Sequence, residues 1–190
     1  MKQINVKQIE DALAMIIDAL GDDLDREGLK ETPKRAAKMY AEVFEGMQYS
    51  NEEIANMFNK CFEDVKTGDL VIVEHIPIFS YCEHHIALMY NMDVSVGYIP
   101  NEKVIVLSKV ARIAEMCGKR LQLQERLGDD IMDVLKQVLE TDDIIVVIRG
   151  EHGCMTTRGV KKPGTVTMTS ALSGAFKTDS SLRQEFYSVL

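Results

Sequence analysis

The chain has 190 residues, a net charge of -8 at neutral pH, 46% apolar residues and 4 cysteines, which is enough apolar material for one folded core. The acidic balance argues against general nucleic-acid binding, which needs a basic surface to displace counterions. No apolar run reaches membrane-spanning length, and Met1-Lys2-Gln3-Ile4-Asn5 leads into an amphipathic pattern unlike a secretion signal. A cytoplasmic address, no membrane association and reduced thiols are therefore expected.

Ile9, Leu13, Ile16, Ile17 and Leu20 recur at helical spacing, and Gly21 behind them is a C-terminal stop. Thr32-Pro33 offers an N-cap and a first-turn proline for a second helix over 33–45. Ser50 with Glu53 makes a capping box for a third helix reaching Phe62. Residues 1–66 thus read as a helical region ahead of a second region, 67–190. There, Leu70-Val71-Ile72-Val73 with Ile76, Ile78 and Phe79 forms a strand, and the alternation Val94, Val96, Tyr98 a second one ended by Pro100. After a turn at Asn101-Glu102-Lys103, Ser108 caps a helix whose core side carries Val110, Ile113, Ala114 and Cys117. A further helix runs from Gln124 to Glu140. Strands from Ile144 and over Thr165–Ser170 follow, then a helix around Ser181–Val189. This order predicts an α+β domain with helices on one face of an antiparallel sheet. Such a sheet has open edges unless a neighbouring copy continues it, so a homo-oligomer joined at sheet edges is expected.

Two short stretches hold most of the chemistry. Ser80-Tyr81-Cys82-Glu83-His84-His85 and His152-Gly153-Cys154 bring two thiols and three imidazoles. Zinc takes both ligand types, and a catalytic zinc uses only three protein ligands, which leaves imidazoles free to move protons. His152 and Cys154 follow the apolar run Ile144–Ile148, and residues two apart on a strand share a face. Cys82 and His85 have the spacing of one metal-wrapping loop. Taken singly, a cysteine beside an apolar strand is more often core, and a lone histidine more often satisfies a local hydrogen bond. Two such pairs outweigh that. The competing reading is a closed structural zinc of two Cys and two His in a non-catalytic oligomeric binding protein. Cations gather at Arg149, Arg158, Lys161 and Lys162, and Lys109 and Arg112 sit one helical turn apart, so a small anionic ligand fits.

Cys82-Glu83-His84-His85, Leu107-Ser108-Lys109-Val110-Ala111-Arg112, Gln122-Leu123-Gln124-Glu125-Arg126-Leu127 and His152-Gly153-Cys154 with Arg158-Gly159 resemble, in order, the signature blocks of GTP cyclohydrolase I. The similarity extends from Glu31-Thr32-Pro33 to Arg183-Gln184-Glu185-Phe186. The resemblance implies a tunnelling fold, a four-stranded antiparallel sheet with two helices, preceded by a helical N-terminus. It implies a homodecamer with active sites between subunits, and the conversion of GTP and water to formate and 7,8-dihydroneopterin triphosphate, the first step of tetrahydrofolate synthesis. By the same resemblance Cys82, His85 and Cys154 hold zinc, and His84 and His152 form the acid–base pair. Glu125, with Gln124 nearby, reads the guanine edge. Ser108, Lys109, Arg112 and Arg158 surround the triphosphate, joined by Arg35 and Lys38 from the helical region.

The chemistry agrees with those roles. Zinc activates water near neutral pH, histidine titrates there, and a carboxylate accepts from the adjacent N–H donors of guanine. Another pterin enzyme of the tunnelling fold would be expected to use an all-histidine zinc site, and only 4 histidines are present. Two stretches depart from the family pattern. Met89-Tyr90-Asn91-Met92-Asp93 replaces the usual Gly-Lys turn and is one residue longer, and Val106 stands where Gly is common. His75, Cys61 and Cys117 match no functional position.

Overall fold

The computed structural model describes residues 3–63 and 68–190. Helix α1 (Val6–Ala19) ends as its sequence predicts: Gly21, at φ +82°, donates its N–H to the Asp18 carbonyl while the Asp22 N–H reaches that of Ile17. Helix α2 (Thr32–Val43) carries Pro33 in its first turn. Thr32 is not its cap, however. The cap position falls on Glu31, and the Thr32 hydroxyl donates to the Gly28 carbonyl at 3.2 Å. Helix α3 (Asn51–Phe58) has the expected box, with Ser50 and Glu53 satisfying each other's N–H groups. It stops short of Phe62 because Cys61–Glu63 forms an extended strand, β1, whose backbone pairs with Lys103–Ile105.

The main sheet has the order β5-β2-β3-β6-β7, built from β2 (Val71–Cys82), β3 (Ala87–Tyr98), β5 (Leu121–Gln122), β6 (Ile144–His152) and β7 (Val166–Leu172). Strand β4 (Lys103–Ile105) is the partner of β1. The antiparallel ladder β2-β3-β6-β7 bears out the α+β expectation. The parallel addition of β5 to the end of β2, Tyr81 to Leu121 and Cys82 to Gln122, is not visible in the sequence pattern.

Helices α4 (Leu107–Gly118) and α5 (Gln124–Leu139) cover one face. Val94, Val96 and Tyr98 of β3 pack there with Val110, Ile113 and Cys117 of α4 and Leu127, Ile131 and Leu135 of α5. Burial pushes the Cys117 thiol up to about 12, so this cysteine is a core residue. Ser108 is not the cap of α4: the helix starts at Leu107, Val106 takes the cap position, and Ser108 is exposed in the first turn. Strand β6 runs directly into a single-turn helix, α6 (Gly153–Thr156). On the other sheet face Ile145 and Val147 meet Phe176 of α7 (Ala175–Thr178) and Phe186 of α8 (Ser180–Tyr187). The C-terminal segment is thus two short helices, the second capped by the Asp179 carboxylate. None of the described helices is long and apolar enough to cross a membrane.

Two residues in the left-handed region set which side chains face inward. On β2, Val71 and Val73 pack against the helix-covered core, and so do Ile76, Ile78 and Cys82. The inward side changes from odd to even positions between Val73 and Ile76, where the ladder to β3 shifts and His75 adopts φ +57°. On β3 the reverse occurs. Val94, Val96, Tyr98 and Met92 face the core at even positions and Met89 at an odd one, with Asn91 between them at φ +48°. Asn91 is therefore the extra residue of a bulge in both flanking ladders, and it lies within the stretch Met89–Asp93. Each bulge is held by a carboxylate: His75 Nδ1 lies 2.8 Å from Asp93, and Asn91 Nδ2 donates to Glu151 at 2.9 Å.

The His75–Asp93 hydrogen bond raises the pKa of His75. A raised folded-state value stabilises the fold fully below the unfolded pKa of about 6.5 and loses that contribution as pH rises through the folded value. In urea titrations, His75→Asn, which tolerates the left-handed backbone, should cost more stability at acidic pH than at alkaline pH. A cost independent of pH would show that the pair contributes nothing electrostatic.

Candidate active site

The start of β3 brings the two chemical stretches together. Ala87 pairs with Cys82 on one side and Met89 pairs with His152 on the other, so the ends of β2 and β6 flank the same short run of β3. Cys82 Sγ, Cys154 Sγ and a ring nitrogen of His152 all lie within 4.8 Å of one another. Cys82 is buried at the edge of the main core, and Cys154 packs against that core. Cys154 reaches this place from α6 and not by strand alternation, because β6 ends at His152 and the chain turns at once. The turn needs Gly153: a Cβ there would sit 2.8 Å from the Leu88 carbonyl oxygen.

The loop after Cys82 is tied to the start of α5. The Glu83 N–H donates to the Gln122 carbonyl at 3.0 Å, and the Glu83 carboxylate accepts from Arg126 Nη2 at 2.5 Å. Arg126 also donates to Gln122 Oε1 at 3.0 Å and to the Leu121 carbonyl at 2.8 Å. His84 and His85 in this loop are exposed. His85 lies outside the sulfur group, and its Nε2 accepts from Arg158 Nη1 at 2.7 Å.

On the α5 side, Gln124 is buried and Glu125 beside it is exposed. Gln124 Oε1 lies 2.8 Å from His152 Nε2, and its amide nitrogen donates to the carbonyls of Ile148 and Thr167 at 3.0 and 3.1 Å and to the Thr169 hydroxyl at 3.3 Å. Ser108, Lys109 and Arg112 line the first turns of α4, with Lys109 Nζ 5.7 Å from the centre of the Phe58 ring. Arg35 and Lys38 are exposed on α2, where Arg35 bonds the Thr32 hydroxyl. Among the described residues no hydrogen bond or ion pair joins these five to the thiols.

The electrostatics suit a cation. Burial, with the neighbouring Cys82 thiol adding to it, raises the Cys154 pKa. Burial also disfavours the His152 imidazolium, which the Glu125 carboxylate offsets only in part. Two thiols and a neutral imidazole are a donor set for zinc, and a bound cation would stabilise the thiolates that burial disfavours. Sequence reasoning did not single out Gln122, Arg126 or Leu88 as parts of this site. Gln122 and Arg126 fall inside a quoted block, but their roles depend on β5, for which two residues give no pattern.

The family model described as GTP cyclohydrolase I matches residues 9–190. A protein named GTP cyclohydrolase 1 from Clostridium botulinum (strain Langeland) is 60% identical over 181 residues, covering 93% of this chain and 92% of that protein. One of the same name from Clostridium acetobutylicum is 60% identical over 183 residues, 94% of each. Another from Clostridium beijerinckii is 57% identical over 189 residues, 97% of this chain and 96% of that protein.

Gly153→Ala should push the His152–Cys154 turn off the Leu88 backbone at a cost of roughly 1–3 kcal/mol. Thermal unfolding and zinc titration should both register it, as a lower midpoint and weaker metal binding. Unchanged zinc affinity would mean that this close approach does not set the separation of the sulfurs.

Proposed function

The chain belongs to the GTP cyclohydrolase I family, and from that premise we propose that it uses water to open the imidazole ring of GTP and rearranges the product to formate and 7,8-dihydroneopterin triphosphate. The observation that carries the reading is the convergence of Cys82, Cys154 and an imidazole beside an exposed carboxylate, Glu125. A purely structural metal site would need neither Glu125 nor the exposed His84.

In this reading Cys82 and Cys154 hold zinc, and a histidine is the third protein ligand. We give that position to His85 from the resemblance of Cys82-Glu83-His84-His85 to the family's block; a ring nitrogen of each histidine is already engaged, His85 Nε2 by Arg158 and His152 Nε2 by Gln124. Zinc, when bound there, supplies Lewis acidity and an activated water. His152 then transfers a proton at the purine ring nitrogen next to the attacked carbon, and His84 serves the later proton movements. Glu125 accepts from the paired N–H donors on the guanine edge, which adenine does not present. Arg158, Lys109, Arg112 and Ser108 contact the triphosphate, with Arg35 and Lys38 reaching it from a neighbouring copy.

A site shared between copies would bring Arg35 and Lys38 of one copy to the thiols of another; within one chain, among the described residues, no hydrogen bond or ion pair joins them. The proposed assembly is the family's homodecamer, and the edges of the sheet leave room for a neighbouring copy. Among the described residues, strand β7 is an open edge with Val166 and Met168 exposed, and β2 has only the short β5 along its outer side. The proposed address is the cytoplasm, where the nucleotide is, and the proposed place is the entry to tetrahydrofolate synthesis.

Purified zinc-loaded protein incubated with GTP should release formate and, after oxidation, a fluorescent pterin; absence of both would end the proposal. Cys154→Ala should lose zinc and turnover together, and retained turnover without zinc would rule out the metal mechanism. His152→Ala should keep zinc and lose turnover, while His85→Ala should lose zinc. The opposite pattern would make His152 the ligand. Glu125→Ala should weaken GTP binding roughly ten- to hundredfold, as for loss of hydrogen bonds to a charged group, and unchanged affinity would remove its guanine-reading role.

A further inference from the structure

We propose that Gln124 is a positioning residue that grips His152 through Nε2, so that Nδ1 is the nitrogen His152 offers to the reaction. The proposal rests on the GTP cyclohydrolase reading of the site only for what that reaction is. The hydrogen bonding stands apart from it.

The orientation of the Gln124 amide follows from its surroundings. One end lies against the carbonyl oxygens of Ile148 and Thr167, at 3.0 and 3.1 Å, and near the Thr169 hydroxyl. Carbonyl oxygens cannot donate, so an amide oxygen on that side would meet two acceptors at hydrogen-bond distance, and the NH2 group must occupy it. The amide oxygen is thereby turned toward His152 Nε2 at 2.8 Å. That oxygen has no hydrogen to give, so the pair bonds only when Nε2 carries the proton. Of the two neutral tautomers, this one leaves the lone pair on Nδ1.

Packing keeps the grip rigid. Gln124 is 1% exposed and opens α5, while its carbonyl partners lie on β6 and β7, so one amide joins a helix to two strands. Gly150 lies beside this amide: a Cβ there would be in ordinary contact with Gln124 Oε1 at 3.5 Å and would press on Met92 Cγ at 3.0 Å. A buried amide with both ends engaged can reach a guanine only by giving up those bonds. The exposed Glu125 gives up nothing comparable. The adjacent residues therefore divide the work: Glu125 faces the substrate and Gln124 faces His152.

The test uses the zinc-loaded protein and Gln124→Met, which keeps length and apolar bulk but neither donates nor accepts. Loss of an orienting partner typically costs roughly ten- to hundredfold, and here the loss should fall on kcat, with KM for GTP and zinc content preserved. A raised KM with kcat preserved would make Gln124 a substrate contact and overturn the proposal, as would unchanged kinetics. Thr169→Val, which removes only the longest of the three amide contacts, should give a smaller fall in kcat in the same direction; a raised KM there would also count against the proposal. A measurement independent of turnover is the long-range proton–nitrogen correlation spectrum of the histidine rings, with the His152 signals assigned by their loss in His152→Ala. It should show the proton on Nε2 in the native protein. A proton on Nδ1 alone would overturn the proposal even if the enzyme were active. If wild type released no formate from GTP yet the spectrum showed Nε2–H, the reaction assigned to the site would fail and the grip on His152 would stand.

Discussion

The register of β3 is the constraint on which the rest of the site depends. A strand with a paired neighbour on each side sets what lies across it, and here it sets Cys82 opposite Ala87 and His152 opposite Met89. A slip of one residue would turn the inward set of a strand outward. Cys82 faces the core only because His75 shifts the parity of β2, and Met89 faces it only because Asn91 shifts the parity of β3. The two bulges thus let continuous hydrophobic strands serve the core at one end and a polar site at the other. Asp93 and Glu151 anchor them with carboxylate hydrogen bonds.

A chain of polar contacts continues this positioning into the helical layer. Arg120 donates to the carbonyls of Gly46 and Tyr49, to Asn51 Oδ1 and to Asp130. Asp130 accepts from Gln122, Gln122 from Arg126, and Arg126 reaches Glu83 beside Cys82. The Arg120–Asp130 pair is mostly shielded from solvent, with side chains 13% and 20% exposed. Breaking such a pair by removing one partner leaves an uncompensated charge, which typically costs about 3–5 kcal/mol. The segment 46–51 and the Cys82 loop are therefore held by one connected network and not by separate surface contacts.

What the sequence made legible is what local physics alone decides. Gly21 ended α1, Ser50 and Glu53 formed their box, and the apolar spacing of Leu127, Ile131 and Leu135 marked the buried side of α5. The two chemical stretches were visible as clusters of rare side chains. Partners distant in the chain were not. Cys61–Glu63 reads as the tail of a helix until β4 offers its backbone, and Leu121–Gln122 is too short to show a strand period. The turn at Gly153 was hidden because its cause, the Leu88 carbonyl, lies on another strand. The hydrogen bonds of Gln124 were hidden likewise, because its three acceptors on β6 and β7 are brought together only in the folded sheet.

X-ray absorption at the zinc edge of the loaded protein tests the central claim most directly, since it counts the atoms that the β3 register is said to bring onto one ion. Two sulfur neighbours at about 2.3 Å, with nitrogen or oxygen completing the shell, are the expected result. A shell with one sulfur or none would mean that Cys82 and Cys154 do not share a metal, and the site would have to be rebuilt around other residues.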